Sequence, residues 1–249
     1  MIVIRSVLFT TLMILSVPVY SLFVLLLAPF PHPQRYKVAQ AWVRLNLGML
    51  KALCGLSYEV VGRENVPADA CVVMLKHSSA METLVELELF PLQTWALKRE
   101  LMWLPFFGWA AALLKPIAVH RGAGRSAVNQ LVQKGAERIR EGVFVMIFPE
   151  GTRVPAGETG RYGIGGAALA VRSRVPIIPV AHNAGDYWPR RGWLKHPGTV
   201  KFIIGPPIAT ADREPREVTA DVKAWIETTT DSIRRRDQRR GYGLGLAGD

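Results

Sequence analysis

Residues 74–84 read MLKHSSAMETL and place His77 and Glu82 five positions apart, just after an apolar run. A carboxylate on one imidazole nitrogen fixes the tautomer, leaves the other nitrogen as a base and stabilises the imidazolium that forms. Such a pair deprotonates a hydroxyl. Glu82 reaches back to the ring only if a turn at Ser78 and Ser79 leads into a helix over METLVELELF, with the serines as caps or polar contacts. A serine nucleophile has no support, because the chain contains no G-x-S-x-G. The competing reading is a surface histidine at an ordinary strand exit.

FPEGTR, residues 148–153, is the second constellation. Turn chemistry explains its proline and glycine but not the acid, hydroxyl and arginine beside them. Arg153 offers a planar fork to phosphate, and Thr152 with the Gly151 amide adds donors. Lys98 and Arg121 each follow a short apolar run and fall where they would share a rim with His77. In VPIIPVAHNAG, residues 175–185, the apolar run shapes a pocket wall, and Pro179 predicts a sheet edge or a bulge.

These residues need a scaffold that gathers strand exits. Strands are expected at 57–61, 71–75, 94–97, 117–119, 143–148, 176–181 and 200–204. Several are apolar throughout, the mark of strands covered on both faces. Between two of them lies RSAVNQLVQKGAERIREG, a helix with Val128, Leu131, Val132 and Ile139 on one face and Gly142 as its stop. A further helix is expected over 215–236. The fold class is α/β, a mixed, largely parallel sheet of about seven strands flanked by helices. In such sheets ligands gather beyond the carboxyl ends of the strands. GRYGIGGAALA has glycines at dinucleotide-like spacing but does not directly follow an expected strand, so its small residues are read as close helix packing.

From Ser6 to Gln34 no side chain is charged, and about 20 apolar residues suffice to cross a bilayer core. Pro18 predicts a kink or split, leaving a span or a re-entrant pair, with PHP at 31–33 as the end. Arg35, Lys37, Arg44 and Lys51 then place the following chain in the cytoplasm. Within 35–56, Val38, Trp42, Leu45 and Met49 form a stripe that suits an interfacial helix or a first core helix. A net charge of +11 calls for an anionic partner. Nucleic acid would satisfy the charge, but no recognition motif is present. Cys54 and Cys71 permit no disulfide framework or Cys/His metal spacing, and Cys71 reads as a small buried hydrophobe. The expected divisions are a membrane anchor over 1–56, an α/β domain over 57–236 and a basic tail over 237–249.

Taken in order, the blocks around His77, Lys98 to Arg121, FPEGTR and VPIIPV resemble the glycerolipid acyltransferase family, the lysophosphatidic acid acyltransferases in particular. The resemblance implies a bacterial inner-membrane enzyme with its catalytic domain on the cytoplasmic face. It would transfer an acyl chain from acyl-CoA or acyl carrier protein to lysophosphatidic acid, without a metal, a cofactor or an acyl-enzyme. It implies His77 as general base, and Lys98, Arg121 and Arg153, with Glu150, Gly151 and Thr152, as the phosphate site. The family's first block usually carries Asp where this chain has Glu82, and His120 beside Arg121 is read as a rim residue. Another lysophospholipid as acceptor, or a non-catalytic lipid-binding protein, are the alternatives.

Overall fold

The structure is a computed structural model that describes residues 1–119 and 124–239. Its centre is a seven-stranded sheet in the order β1-β7-β6-β2-β5-β3-β4. The strands are β1 (Leu56–Val61), β2 (Val72–Leu75), β3 (Gln93–Lys98), β4 (Ile117–Val119), β5 (Phe144–Ile147), β6 (Ile177–His182) and β7 (Gly198–Ile204). All neighbours pair in parallel except β6 with β7. The helices are α1 (Ile2–Leu26), α2 (His32–Cys54), α3 (Met81–Leu89), α4 (Phe107–Leu113), α5 (Arg125–Arg140), α6 (Gly165–Ser173), α7 (Ala184–Tyr187) and α8 (Pro215–Arg239).

Side chains alternate across a strand, and both faces of this sheet are covered. Val73, Leu75, Met146, Ile178 and Val180 face a core shared with α2 and α3. Val72, Met74, Val145, Ile147 and Ile177 face the other, closed by α5, α6 and α8. Continuous apolar runs in β2, β5 and β6 follow from that double burial. On the second face α6 sits close to its neighbours: a Cβ at Gly165 would lie 2.9 Å from Leu131, and one at Gly166 3.0 Å from Met74.

Three local expectations change. Pro179 lies in an interior strand, between β7 and β2. It is tolerated because pairing with β7 begins at Val180–Ile204, and its carbonyl accepts the Gly205 amide at 2.8 Å. The missing N–H therefore points past the end of β7, where the ladder needs no donor. Pro18 does not split α1, which runs unbroken through it. The chain reverses instead near residues 27–31, where Pro31 precedes α2 and PHP opens that helix rather than closing the first.

On α2 the stripe facing the core is Tyr36, Val43, Leu47, Leu50 and Cys54. Trp42 and Met49 pack at its margin, and Leu45 is exposed. α1 is long and apolar enough to cross a membrane, with a mean hydropathy of 2.1 over its best window. Yet one side leans on the protein along its length. Ser6 Oγ accepts the Lys195 amide, the Phe9 and Trp188 rings meet edge to face, and Ser16 accepts from Trp42 Nε1. α8 continues to Arg239 and buries Asp237 against Asn183 and Tyr187, so residues 237–239 belong to the folded body. Arg234 on the same helix is fixed by Asp186.

Candidate active site

β2 ends at Leu75, and the next two residues, Lys76 and His77, remain buried. His77 Nδ1 lies 3.0 Å from Glu82 Oε1, and that oxygen also accepts the Ser78 and Ser79 amides at 2.9 and 2.7 Å. Glu82 sits in the first turn of α3, so reaching back to the ring and capping the helix are one act. Ser79 adds the cap expected of it, its Oγ accepting the Met81 amide. Burial pushes the Glu82 carboxyl up, but the His77 hydrogen bond, the nearby imidazoles and the Ser79 amide outweigh it and hold the group below its ordinary value. An ionised Glu82 keeps the proton on Nδ1 and leaves Nε2 as the basic nitrogen.

FPEGTR wraps the same histidine. The Phe148 ring stacks on the imidazole with centroids 3.9 Å apart, Glu150 Oε2 accepts the His77 amide at 2.8 Å, and the Val154 amide donates to the His77 carbonyl. Gly151 makes the turn possible with a φ of 66°, in the left-handed region that suits glycine. Its amide is spent inside the turn on the Phe148 carbonyl.

Two expectations for this block are therefore corrected. Glu150 does not face a phosphate: its other oxygen is 2.8 Å from Lys76 Nζ and also takes the Gly160 amide. Gly151 offers no free donor. Thr152 is exposed and outside the cavity described below, whereas Arg153 lines it.

Lys76 is the residue that sequence reasoning missed. Only 2% exposed, it bonds Glu150, both oxygens of Glu227 on α8 and the Glu158 carbonyl. A lysine directly after an apolar strand and directly before the histidine was a usable signal, since lysine is almost never buried unpaired. His182, at the end of β6, was also passed over. Its Nδ1 accepts the Ala184 amide and its Nε2 donates to the Lys76 carbonyl, so it is a neutral imidazole. Burial lowers its pKa in the same direction.

His77 opens onto a cavity of about 330 Å³ that runs from the strand exits to the α1–α2 hairpin. Its wall is apolar over most of its extent, with Val17 and Val24 from α1, Trp42 from α2, Leu97 from β3 and Phe107 from α4. Lys98 and Arg153 are on the wall as well. Lys98 makes a 3.7 Å ion pair with Glu100 on an exposed rim, and the Arg153 Nε is buried without a hydrogen-bond partner among the described residues. Arg121 and His120 lie outside the described residues. Cys71 is buried with its thiol pushed up to about 12 by desolvation, which leaves it inert. Among the described residues no group of three His, Cys, Asp or Glu is placed to hold a metal ion.

The acyltransferase family model matches residues 57–183, from β1 through the end of β6, and so takes in every block that surrounds His77. The chain belongs to the acyltransferase family. It is 43% identical over 241 residues to the 1-acyl-sn-glycerol-3-phosphate acyltransferase of Pseudomonas aeruginosa, covering 95% of this chain and 94% of that one. The human 1-acyl-sn-glycerol-3-phosphate acyltransferase alpha is 29% identical over 181 residues, 72% of this chain and 64% of the human one. The crystal structure of the 1-acyl-sn-glycerophosphate acyltransferase PlsC from Thermotoga maritima shares the fold, with a TM-score of 0.77 at 22% identity over 94% of this chain and 96% of that one. In this acyltransferase the family fold sets His77 at the junction of a buried polar network and an apolar cavity.

Proposed function

We propose that this acyltransferase moves an acyl chain from the thioester of acyl-CoA or acyl carrier protein to the free hydroxyl of lysophosphatidic acid, giving phosphatidic acid. The observation that carries the reading is the position of the His77–Glu82 pair, where a mostly apolar cavity of about 330 Å³ meets Lys98 and Arg153. His77 Nε2 takes the hydroxyl proton as the oxygen attacks the thioester carbonyl carbon. Glu82 stabilises the imidazolium. Collapse of the tetrahedral intermediate re-forms the carbonyl and expels the thiolate, which takes the proton from Nε2, so ester and thiol are the products.

Arg153 and Lys98 are read as the phosphate grip, with Arg121 as their third member and Thr152 as an outer donor. An unsatisfied buried Nε on Arg153 supports an anionic ligand there, because such a donor is costly to leave without a partner. Glu150 and Gly151 serve the same site by holding His77 and the turn.

The anchor reading takes a specific form. A helix whose side is docked on the domain from Ser6 to Val24 cannot cross the bilayer with that domain left outside. Ile4, Leu8, Leu15, Val19, Leu22 and Phe23 are among its exposed apolar residues. We read α1 as lying in one leaflet, with the cavity mouth at the lipid and the domain on the cytoplasmic face of a bacterial inner membrane, which suits the cationic flank after α1.

The test is acyl transfer to lysophosphatidic acid by detergent-purified full-length protein with each donor, wild type beside His77→Ala. The mutant is expected to lose roughly a hundred- to ten-thousand-fold in turnover, the usual contribution of a positioned base. Equal turnover in the two proteins would exclude His77 as the base, and a folded wild type idle on lysophosphatidic acid but active on another lysophospholipid would change the acceptor.

A further inference from the structure

Glu86 lies four residues after Glu82 on α3, about one turn or 5.4 Å further from His77, and belongs to the cavity wall. It is 3% exposed. Its Oε2 is sealed and unpartnered, and no hydrogen bond from any described residue reaches its carboxyl. The proposed reaction does not use it.

A buried polar group without a partner is rare and calls for a physical reason. Packing alone is a poor one, since a leucine would fill the same wall without the desolvation cost. Burial, together with the charge of Glu82 one turn away, holds the Glu86 carboxyl well above its ordinary value, which favours its neutral form. A neutral carboxyl is both an O–H donor and a carbonyl acceptor. Set in a wall that is otherwise mostly apolar, it is complementary to a small hydroxyl rather than to a methylene.

We propose that Glu86 is a specificity-determining residue of the cavity, hydrogen-bonding a hydroxyl carried by the donor acyl chain close to its thioester end. This rests on the acyl-transfer reading, in which the thioester lies at His77 and the chain runs along α3. The position within a turn of Glu82 sets the expected site of the hydroxyl. A substituent near the thioester meets Glu86, and one at the far end of the chain passes beyond it. Sites built to bond a hydroxyl reject the analogue that lacks it more strongly than apolar pockets reject an added one.

The experiment is a competition between acyl-CoA donors of equal length, unsubstituted, 3-hydroxylated and ω-hydroxylated, transferred to lysophosphatidic acid by the full-length protein. Wild type is expected to favour the 3-hydroxylated donor over the unsubstituted one by about tenfold, the worth of one satisfied buried hydrogen bond, and to show no such gain for the ω-hydroxylated donor. Glu86→Leu should abolish or reverse the preference while keeping turnover of the unsubstituted donor. Glu86→Gln, which retains a donor and an acceptor, should keep part of it.

Equal use of the three donors by wild type, or a ratio unchanged in Glu86→Leu, overturns the proposal. Thermal stabilisation by the free 3-hydroxy fatty acid against its unsubstituted counterpart gives the same comparison without turnover. Greater stabilisation by the hydroxy acid in a wild type that makes no phosphatidic acid would keep the subsite and remove the acyl-transfer reading. No difference in either measurement would remove the subsite.

Discussion

Two regions meet at His77, and they treat their polar groups in opposite ways. Behind the histidine, Glu82 Oε1 takes three N–H donors, Glu150 takes three, and Lys76 is held by Glu150, Glu227 and a carbonyl. In front, on the cavity wall, Arg153 Nε and Glu86 have no partner among the described residues, and Lys98 has a loose one. Apart from Glu82 Oε2, which is also buried without a hydrogen-bond partner among the described residues, the groups behind the ring are satisfied by the protein itself and those on the wall are left open. On the proposed mechanism, a rigidly held imidazole beside a wall with open polar groups is what catalysis by positioning requires.

Breaking the closed region should cost the fold first. Lys76→Met strands two carboxylates, and loss of one member of a buried ion pair costs about 3–5 kcal/mol. Chemical denaturation of the full chain reads this directly. A loss under about 1 kcal/mol would mean that Glu150 and Glu227 find other partners. Activity should fall along with stability in this variant, because Glu150 also holds the His77 amide.

Opening the cavity wall should do the reverse. Arg153→Ala should cost far less stability than Lys76→Met, because it removes packing and leaves no buried charge stranded. The KM for lysophosphatidic acid should rise about tenfold or more, the size of a charge-assisted hydrogen bond. A fall in kcat with KM unchanged would place Arg153 on the transition state instead of the ground-state phosphate.

The smallest expected effect separates two carboxyls on one helix. Glu82 is held below its ordinary value, so its contribution to stability is present above the unfolded carboxyl pKa of about 4.3 and is lost as pH falls through the lower folded value. Glu86 is raised, so its contribution is full below that unfolded pKa and is lost as pH rises toward the folded value. Glu82→Gln should therefore be less stable than wild type at neutral pH, with the gap narrowing in acid. Glu86→Gln should gain on wild type as pH rises. Parallel pH curves for the two variants would remove the distinction between a partnered and an unpartnered acid.

Much of this organisation was legible in the chain. All seven strands fall within two residues of their expected bounds, because runs such as VFVMIF combine a strand's length with burial on both faces. The His77–Glu82 contact was legible because His77 follows a strand exit by two residues and Glu82 falls in the first turn of the helix that comes next. Direction was not. Nothing in FPEGTR tells that Glu150 turns inward to a lysine 74 residues earlier while Arg153 turns to the cavity. Pro179 misled for a related reason: whether its missing N–H matters depends on where β7 stops, a fact of pairing. The stripe on α2 was displaced because Tyr36, Val43 and Leu50 join the core that α2 shares with the sheet and α3.

The strand that runs against its neighbour has a consequence for how the molecule comes into being. Among the described residues β1 pairs only with β7, and Ser57 meets Gly198 across 141 residues of chain. On a ribosome β1 emerges early and waits, its edge unsatisfied, until nearly the whole sheet has been synthesised. α1 and α2 precede it and need no late partner to become helical. If α1 lies in a leaflet as proposed, their apolar surface would meet the bilayer while the rest is still being made, and the order of the chain would bring the protein to a membrane before it finishes folding.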